Sequence, residues 1–465
     1  MRRRLAAAVA TLGAAAALSS RVSLAIAQEI RGDSEGAAAV QEQSAAVGEP
    51  SAAVTPAGEP VVVTLDEAVR LAQVHSPAVV AASGDVRGAE SAERVAAASW
   101  LPDVSFSAGT SRSSTQRFDP ATNRTVSGSE DSYRAGLGSS LELYDGGRRG
   151  AERTRARAET AAAEAGLEAE RFAVALEAKR AYFEELRAAD LERVAEARVR
   201  RAEEGLAASE RRLDVGAATR SDVLRSRLEL NEARRERLEA ASLRRTAAHA
   251  LGRLVGADGP VSAAGGEARG PRPLALAPAE LESLALETSP EVRAAGARLR
   301  ALEAGVGVAR SAWLPSLRLS GGTDWFNQDP ELTGGRLGWD VGLGISYPLF
   351  DRRERSAAVT RADAAADAAR ASLADARRAA RAELERLRGE LELAERSVEL
   401  AGEAVAVAEE DLRVQGQRYA LGAATILERI ASQEALAEAE SRQVVSRHDY
   451  ELVRAELEAL VGREL

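Results

Sequence analysis

From Leu337 to Leu349 the apolar residues Leu337, Trp339, Val341, Leu343, Ile345, Tyr347 and Leu349 alternate with Gly338, Asp340, Gly342, Gly344, Ser346 and Pro348. A period of two predicts a strand with one apolar face and one small or polar face. Leu317, Leu319, Gly321, Thr323 and Trp325 give a weaker version just before it, and Val104, Phe106 and Ala108 pair with Tyr133, Ala135, Leu137, Leu141 and Leu143 earlier in the chain. Strands of about ten residues with an apolar face and terminal aromatics fit a membrane β-barrel. A soluble hairpin packed on helices would alternate in the same way, so the pattern alone leaves both open. The connecting segments 115–132 and 327–336 are polar and read as exposed loops.

Elsewhere the period is helical. Between 147 and 214 only three glycines and no proline interrupt the chain, and Leu176/Phe183 and Val199/Leu206/Leu213 keep a heptad spacing. Such a helix is about 100 Å long at 1.5 Å per residue, with Glu and Arg interleaved three or four apart on its polar faces. A return helix over 221–254 makes Gly216 the tip of a long hairpin. Helices over 353–419 and 426–460 repeat the arrangement. Short helices precede the strands. Thr64-Leu65-Asp66-Glu67 reads as a capping box, Pro278 as a first helical residue, and Pro102 ends the helix over 77–99.

The chain therefore reads twice. Ser76-Pro77 recurs as Ser289-Pro290 and Trp100-Leu101-Pro102 as Trp313-Leu314-Pro315, both 213 positions on. Tyr144-Asp145 recurs as Phe350-Asp351, Gly216-Ala217-Ala218-Thr219 as Gly422-Ala423-Ala424-Thr425, and Leu254-Val255-Gly256 as Leu460-Val461-Gly462, all 206 positions on. The offset changes between the Trp-Leu-Pro and aromatic-Asp markers, where the first copy has the longer loop. A period near 200 residues indicates duplication of a whole domain rather than a solenoid. The expected organisation is a signal peptide at 1–27, a flexible linker at 28–60, a first repeat at 61–258, an inter-repeat linker at 259–273 and a second repeat at 274–465. The signal rests on Arg2, Arg3 and Arg4, the uncharged run from Leu5 to Leu18 and the Ala25-Ile26-Ala27 cleavage pattern.

Composition narrows the function. The 465 residues are 45% apolar but only 3% aromatic, dominated by Ala, Glu, Arg and Leu, as in long helices. With no cysteine, disulfides, thiolate metal sites and Cys nucleophiles are excluded. His75, His249 and His448 lie far apart and read as helix-surface residues without a ligand role. A net charge of −10 with both signs intermixed argues against nucleic acid as a partner. A hydrolase reading fails for lack of a converging nucleophile, base and oxyanion donors. No catalytic, metal or cofactor site is expected, and with Met1 as the only methionine a metal-export role finds no support.

In these features the sequence resembles the TolC-like outer-membrane efflux channel family. The resemblance is carried by Thr64–Ala68 with Ser76-Pro77, the two Trp-Leu-Pro sites, Leu349-Phe350-Asp351 with its copy Leu143-Tyr144-Asp145-Gly146-Gly147-Arg148, and the Val215-Gly216-Ala217 and Leu421-Gly422-Ala423 turns. It implies a mostly α fold with a small β part. Duplicated antiparallel hairpins would form a periplasmic tunnel, and four strands per chain would contribute to a trimeric twelve-stranded outer-membrane barrel. Four strands cannot close alone, and an open edge in lipid leaves backbone groups unsatisfied. The implied function is the passive exit duct of a tripartite efflux or type I secretion system. Its implied partners are two further copies, a periplasmic membrane-fusion adaptor, an inner-membrane transporter of RND, ABC or MFS type, and outer-membrane lipid.

Residue by residue, the resemblance makes Val215, Gly216, Ala217, Leu421, Gly422 and Ala423 adaptor-docking tips; a plain helix C-cap would use the same glycines. It makes Asp222, Tyr419 and Glu428 a periplasmic gate, with Glu428 lining the closed entrance and Asp222 linking neighbouring hairpins. Ala424 and Ala431 stand where a basic partner and a second acid would be, so the gate bonds are expected to be fewer or differently made. An ordinary solvated helix acid is the competing reading for both carboxylates. The alternative function is a periplasmic coiled-coil scaffold or adaptor-like protein without a barrel. An adaptor, however, would place one hairpin inside a split β domain, not two hairpins in duplicated halves.

Overall fold

The computed structural model describes residues 61–119, 124–265, 271–272, 274, 276–329 and 334–463. The expected signal peptide and N-terminal linker lie outside these residues. In order the elements are β1 (Val61–Val63), α1 (Leu65–His75), α2 (Pro77–Ala98), β2 (Asp103–Asp119), β3 (Arg124–Tyr144), α3 (Arg148–Asp214) and α4 (Arg220–Val255). The second half follows with β4 (Val261–Ala263), α5 (Pro278–Thr288), α6 (Pro290–Ser311), β5 (Ser316–Asn327), β6 (Arg336–Ser346), α7 (Glu354–Ala420) and α8 (Ile426–Val461). α3 and α7 each run 67 residues, about 100 Å.

The duplication extends to the buried side chains. Ala68, Ala72, Leu251 and Val255 in the first half and Leu281, Ala285, Leu457 and Val461 in the second are buried at equivalent positions. Each set packs a short helix into the middle of a long hairpin. Each fully buried Leu contributes about 1.5–3 kcal/mol. Gly256 and Gly462 end α4 and α8 in the left-handed region at φ 78° and 74°. A side chain at Gly256 would strike the His75 ring, and one at Gly462 the Thr288 carbonyl.

Nearer the tip of the first hairpin Val199, Ala202, Leu230 and Ala233 form a further apolar cluster between α3 and α4, and polar contacts join the two hairpins to each other. α3 packs on α4, α8 on α7, and α3 on α8, giving a row α4–α3–α8–α7 with two open sides. The α3–α8 seam is ionic: Lys179–Glu458 at 2.7 Å, Arg180–Glu456 at 2.6 Å and Arg201 donating twice to Glu440 at 3.0 and 2.6 Å. His448 belongs to this seam. It is 5% exposed, with Nε2 2.9 Å from the Asp190 carboxylate, which corrects the surface placement expected for it. The carboxylate faces it across the seam from α3, and sequence spacing within one helix cannot show such a partner. Despite burial, the hydrogen bond to His448 and the Arg193 charge hold Asp190 below the usual carboxylate range.

Three other expectations change. The segment 259–273 carries β4, which pairs in parallel with β1 from Val61↔Val261 to Val63↔Ala263; three residues are too few to show a period. At α1 Thr64 Oγ1 accepts from the Glu67 N–H, but the Glu67 carboxylate lies 3.9 Å from Arg70, so the cap is met by the threonine side. The segment 115–132 is mostly strand, not loop: β2 and β3 stay paired out to Asp119↔Arg124. Serine and threonine sustain a backbone ladder without any apolar alternation to announce it. The shorter β5 pairs with β3 only as far as Asn327↔Tyr133, so the outer part of the β2–β3 hairpin is a two-stranded ribbon.

Candidate functional site

The four long strands form one antiparallel sheet in the order β2–β3–β5–β6. Its register places Phe106, Leu137, Thr323 and Trp339 in one row and Ala108, Ala135, Trp325 and Leu337 in the next, so the apolar positions of all four strands share a face. Among the described residues nothing covers that face; Trp339 is 79% and Ile345 75% exposed. From Leu337 to Ile345 the apolar side of β6 spans about 26 Å along the strand, about 20 Å of height at a tilt of about 40° against an apolar band of about 25 Å, and the exposed Tyr347 and Leu349 continue the apolar run beyond it. The opposite face carries Ser105, Gly138, Gly322 and Asp340 in one row and Ser107, Gly136, Asp324 and Gly338 in another.

Strand passes to tunnel helix at the motifs that recur in the sequence. Asp145 accepts from the Gly147 and Arg149 backbone N–H groups at 3.1 and 2.8 Å and from Arg149 Nε at 3.1 Å. The Arg149 guanidinium lies 4.3 Å from the Trp100 ring centroid. The second copy repeats this with Asp351, Arg355 and Trp313, the guanidinium 4.6 Å from the ring. The Trp-Leu-Pro and aromatic-Asp markers are therefore two halves of one joint.

At the far end, α3 closes with Gly216 at φ 74°, Ala217 N–H donating to Arg212 O at 2.7 Å and Gly216 N–H to Leu213 O at 2.9 Å. α7 ends alike: Gly422 has φ 78°, and Ala423 N–H donates to Arg418 O at 2.8 Å. Arg212 and Arg418 fold over these turns onto the Ala217 and Ala423 carbonyls. Val215 and Leu421 project outward, 77% and 86% exposed. A side chain at Gly216 would meet open space, so the glycine serves the turn's positive φ.

Asp222 and Glu428 sit in capping boxes. Thr219 N–H donates to Asp222 Oδ2 at 2.8 Å and Thr425 N–H to Glu428 Oε2 at 2.6 Å, and each threonine hydroxyl accepts from the acid's backbone N–H. Thr-x-x-Asp and Thr-x-x-Glu are the sequence signature of this cap, and the threonine that ends each Gly-Ala-Ala-Thr marker begins it. The Thr425 N–H and hydroxyl hold the Glu428 carboxyl below the usual glutamate range.

Tyr419 is buried between the two hairpins. The Arg212 guanidinium lies 4.5 Å from its ring centroid and donates to its carbonyl, Arg429 flanks the ring at 5.6 Å, and Ser209 Oγ is 3.3 Å from its hydroxyl. Burial pushes the Arg429 guanidinium down from its ordinary value. Within the chain, the link between hairpin tips is made by Arg212 and Tyr419, while Asp222 is engaged in its own helix cap. Position 424 has no basic side chain, and the cations beside Tyr419 come from α3 and α8, where no local spacing marks them. Among the described residues no helix is long and apolar enough to cross a membrane, and no acidic or His cluster could hold a metal.

Residues 68–257 and 281–463 match the family model described as outer membrane efflux protein. The pyoverdine export outer membrane protein OpmQ of Pseudomonas putida is 27% identical over 397 residues, 82% of this chain and 81% of that one. Among solved structures, a membrane protein from Pseudomonas aeruginosa superposes with TM-score 0.74 at 23% identity, covering 85% of this chain and 93% of that one. The outer membrane protein VceC of Vibrio cholerae gives TM-score 0.71 at 21% identity, covering 86% and 96%. The two matched segments fall one on each structural half, and with the exposed apolar sheet face they make the conclusion plain: the chain belongs to the outer membrane efflux protein family and is an efflux channel of the outer membrane.

Proposed function

We propose that three copies close into a twelve-stranded barrel continuous with a twelve-helix tunnel, and that this assembly is the passive exit duct of a tripartite pump. The observation that carries the reading is that, among the described residues, both layers end in unfilled edges on the same chain. β2 and β6 are open at the ends of the sheet, and α4 and α7 at the ends of the helix row. The repeat supports it too: α6 packs extensively on both α3 and α7, whereas among the described residues its counterpart α2 packs extensively on α3 alone of the long helices. The vacant position is filled when α2 lies on α7 of a neighbouring copy. On α7, Leu393, Leu400 and Val407 form an exposed apolar stripe seven residues apart, and Leu228, Leu238 and Leu243 are exposed on α4. Measured from the hairpin tips, the two stripes interleave in height.

The tips Val215, Gly216, Ala217, Leu421, Gly422 and Ala423 receive a periplasmic adaptor hairpin, with Val215 and Leu421 as its apolar contacts. Asp222, Tyr419 and Glu428 form the entrance, where the Arg212–Tyr419 contact ties the two tips of one chain. An inner-membrane transporter drives the flow through the adaptor. The test is planar-bilayer conductance of the detergent-purified protein with its mass measured alongside. Discrete channels from a species of three chain masses are expected. A monomer that inserts no channels would overturn the reading. Arg212→Ala is expected to raise the open time of the untriggered channel.

A further inference from the structure

The polar face of the sheet is not uniformly charged, and its register sorts the charges by height. Nearest the helices, Glu142 accepts from Arg318 and Arg148 at 2.9 and 2.8 Å and is neutralised. Above it, three successive rows carry Asp103, Asp340 and Asp324, one carboxylate each. Among the described residues none of the three meets a cation; Asp103 accepts only from the Ser140 hydroxyl at 2.6 Å. The next row outward is Gly109, Arg134, Phe326 and Arg336. Arg134 lies over the Phe326 ring at 5.6 Å, and no carboxylate partner is seen for either arginine among the described residues. Glu130, two rows further out on β3, is the next acid on this face.

Glycines seat the acids. A β-carbon at Gly136 would come within 2.8 Å of Asp324 Oδ1, and one at Gly322 within 3.5 Å of Asp340 Oδ1. Both carboxylates therefore lie flat across the neighbouring strand, which keeps fixed charge on the wall and the bore open. From the middle acidic row to the arginine row is four residues, about 14 Å along the strand. That exceeds the Debye length of about 8 Å at physiological ionic strength, so the Asp340 and Asp103 rows act on a passing ion separately from the arginine row, while the Asp324 row, two residues or about 7 Å from it, forms the border between the zones.

We propose that the inner wall of the barrel is a two-zone charge filter, in which Asp103, Asp324 and Asp340 favour outgoing cationic solutes and the Arg134–Phe326–Arg336 row forms a positive collar at the outer end. The inference rests on the trimeric duct reading. Three chains then place nine carboxylates in the belt and six guanidinium groups in the collar. The belt concentrates cations coming from the periplasm. The collar is a barrier to cations in both directions, and its place at one end of the bore makes the conductance depend on the sign of the voltage. Selectivity for cationic solutes is set here as well as at the hairpin tips.

Reversal potential in a KCl gradient and the current–voltage curve of channels added from one side of a bilayer test it. Asp324→Asn with Asp340→Asn is expected to lower the cation-to-anion permeability ratio about threefold or more at 0.1 M salt and to have little effect at 1 M, where the Debye length is about 3 Å. Arg134→Gln with Arg336→Gln is expected to raise the ratio and flatten the asymmetry of the curve. All four positions are exposed on the polar face, and the replacements keep side-chain size. Glu428→Gln reports the tip contribution separately. Conducting channels whose ratio follows Glu428 alone, or whose curve is symmetric in the parent protein, overturn the filter while leaving the duct intact. Absence of channels in the parent protein overturns the duct itself.

Discussion

Replacing Gly146 by alanine probes the joint between barrel and tunnel, and the duplicated fold supplies its own control. Gly146 has φ 70° and sits between β3 and α3. A β-carbon there would lie 2.7 Å from Leu314 Cβ and 2.7 Å from the Ser311 carbonyl oxygen. Neither is the far end of a flexible side chain, so the end of α6 must move. The left-handed backbone costs a non-glycine residue about 1–2 kcal/mol, and overpacking of this kind about 1–3 more, giving about 3 kcal/mol in all. Its counterpart in the second half is Arg352, a non-glycine residue at φ 52°. Arg352→Gly should therefore change stability by less than about 1 kcal/mol, relief of strain being offset by the freedom glycine adds to the unfolded chain. Hydrogen exchange of the purified channel reads both. Gly146→Ala should speed exchange of the Gly147–Arg149 amides about 100-fold, the equivalent of that energy. A Gly146→Ala protein exchanging like the parent would show that the joint yields freely and would refute the argument from the Ser311 contact.

Three further outcomes follow from other parts of the structure. Leu400→Glu puts a charge in the exposed α7 stripe and should reduce the mass in detergent from three chains to one; an intact trimer would place the subunit seam elsewhere. A double-mutant cycle of His448→Ala and Asp190→Asn should give a coupling of about 1 kcal/mol or more, and additivity would deny the seam contact its energetic role. Because the Glu428 carboxyl is held below its ordinary value of 4.5, its cap is complete at neutral pH and lost as the pH falls below that value through the folded-state pKa. Tip exchange in the parent should then converge on that of Glu428→Gln at low pH, and a difference that persists would count against the cap.

Long elements with a repeated pattern are legible in the amino-acid sequence. The Ala-rich heptads mark α3, α4, α7 and α8 to within a residue or so, because a helix of such length repeats its signal many times. The alternation in β6 likewise reports a real face. Elements with little pattern, or with a remote partner, leave no such trace. β4 is three residues long. The outer β2–β3 ladder is mostly polar, with Phe118 and Val126 too isolated to show a period, and its pairing is a backbone affair. His448 becomes a seam residue only because α3 brings Asp190 beside it. The resemblance makes Asp222 and Glu428 gate residues, yet their immediate bonds are to the threonines three positions earlier, a cap that counting forward from the glycine passes over. The arginines beside Tyr419 belong to different helices and converge only in the folded chain.

The unequal length of the two strand hairpins bears on where such channels vary. Beyond Tyr133 the β2–β3 ribbon continues for nine residues of β3, down to Arg124, about 30 Å of strand, while the second hairpin stops short. In the proposed trimer three such ribbons would stand around the pore like posts around a well, with three low gaps between them. Here β3 is held by a single ladder, with no third strand beside it, so its sequence and length are the least constrained in the sheet. Related channels should therefore differ most in sequence and length where this one is tallest.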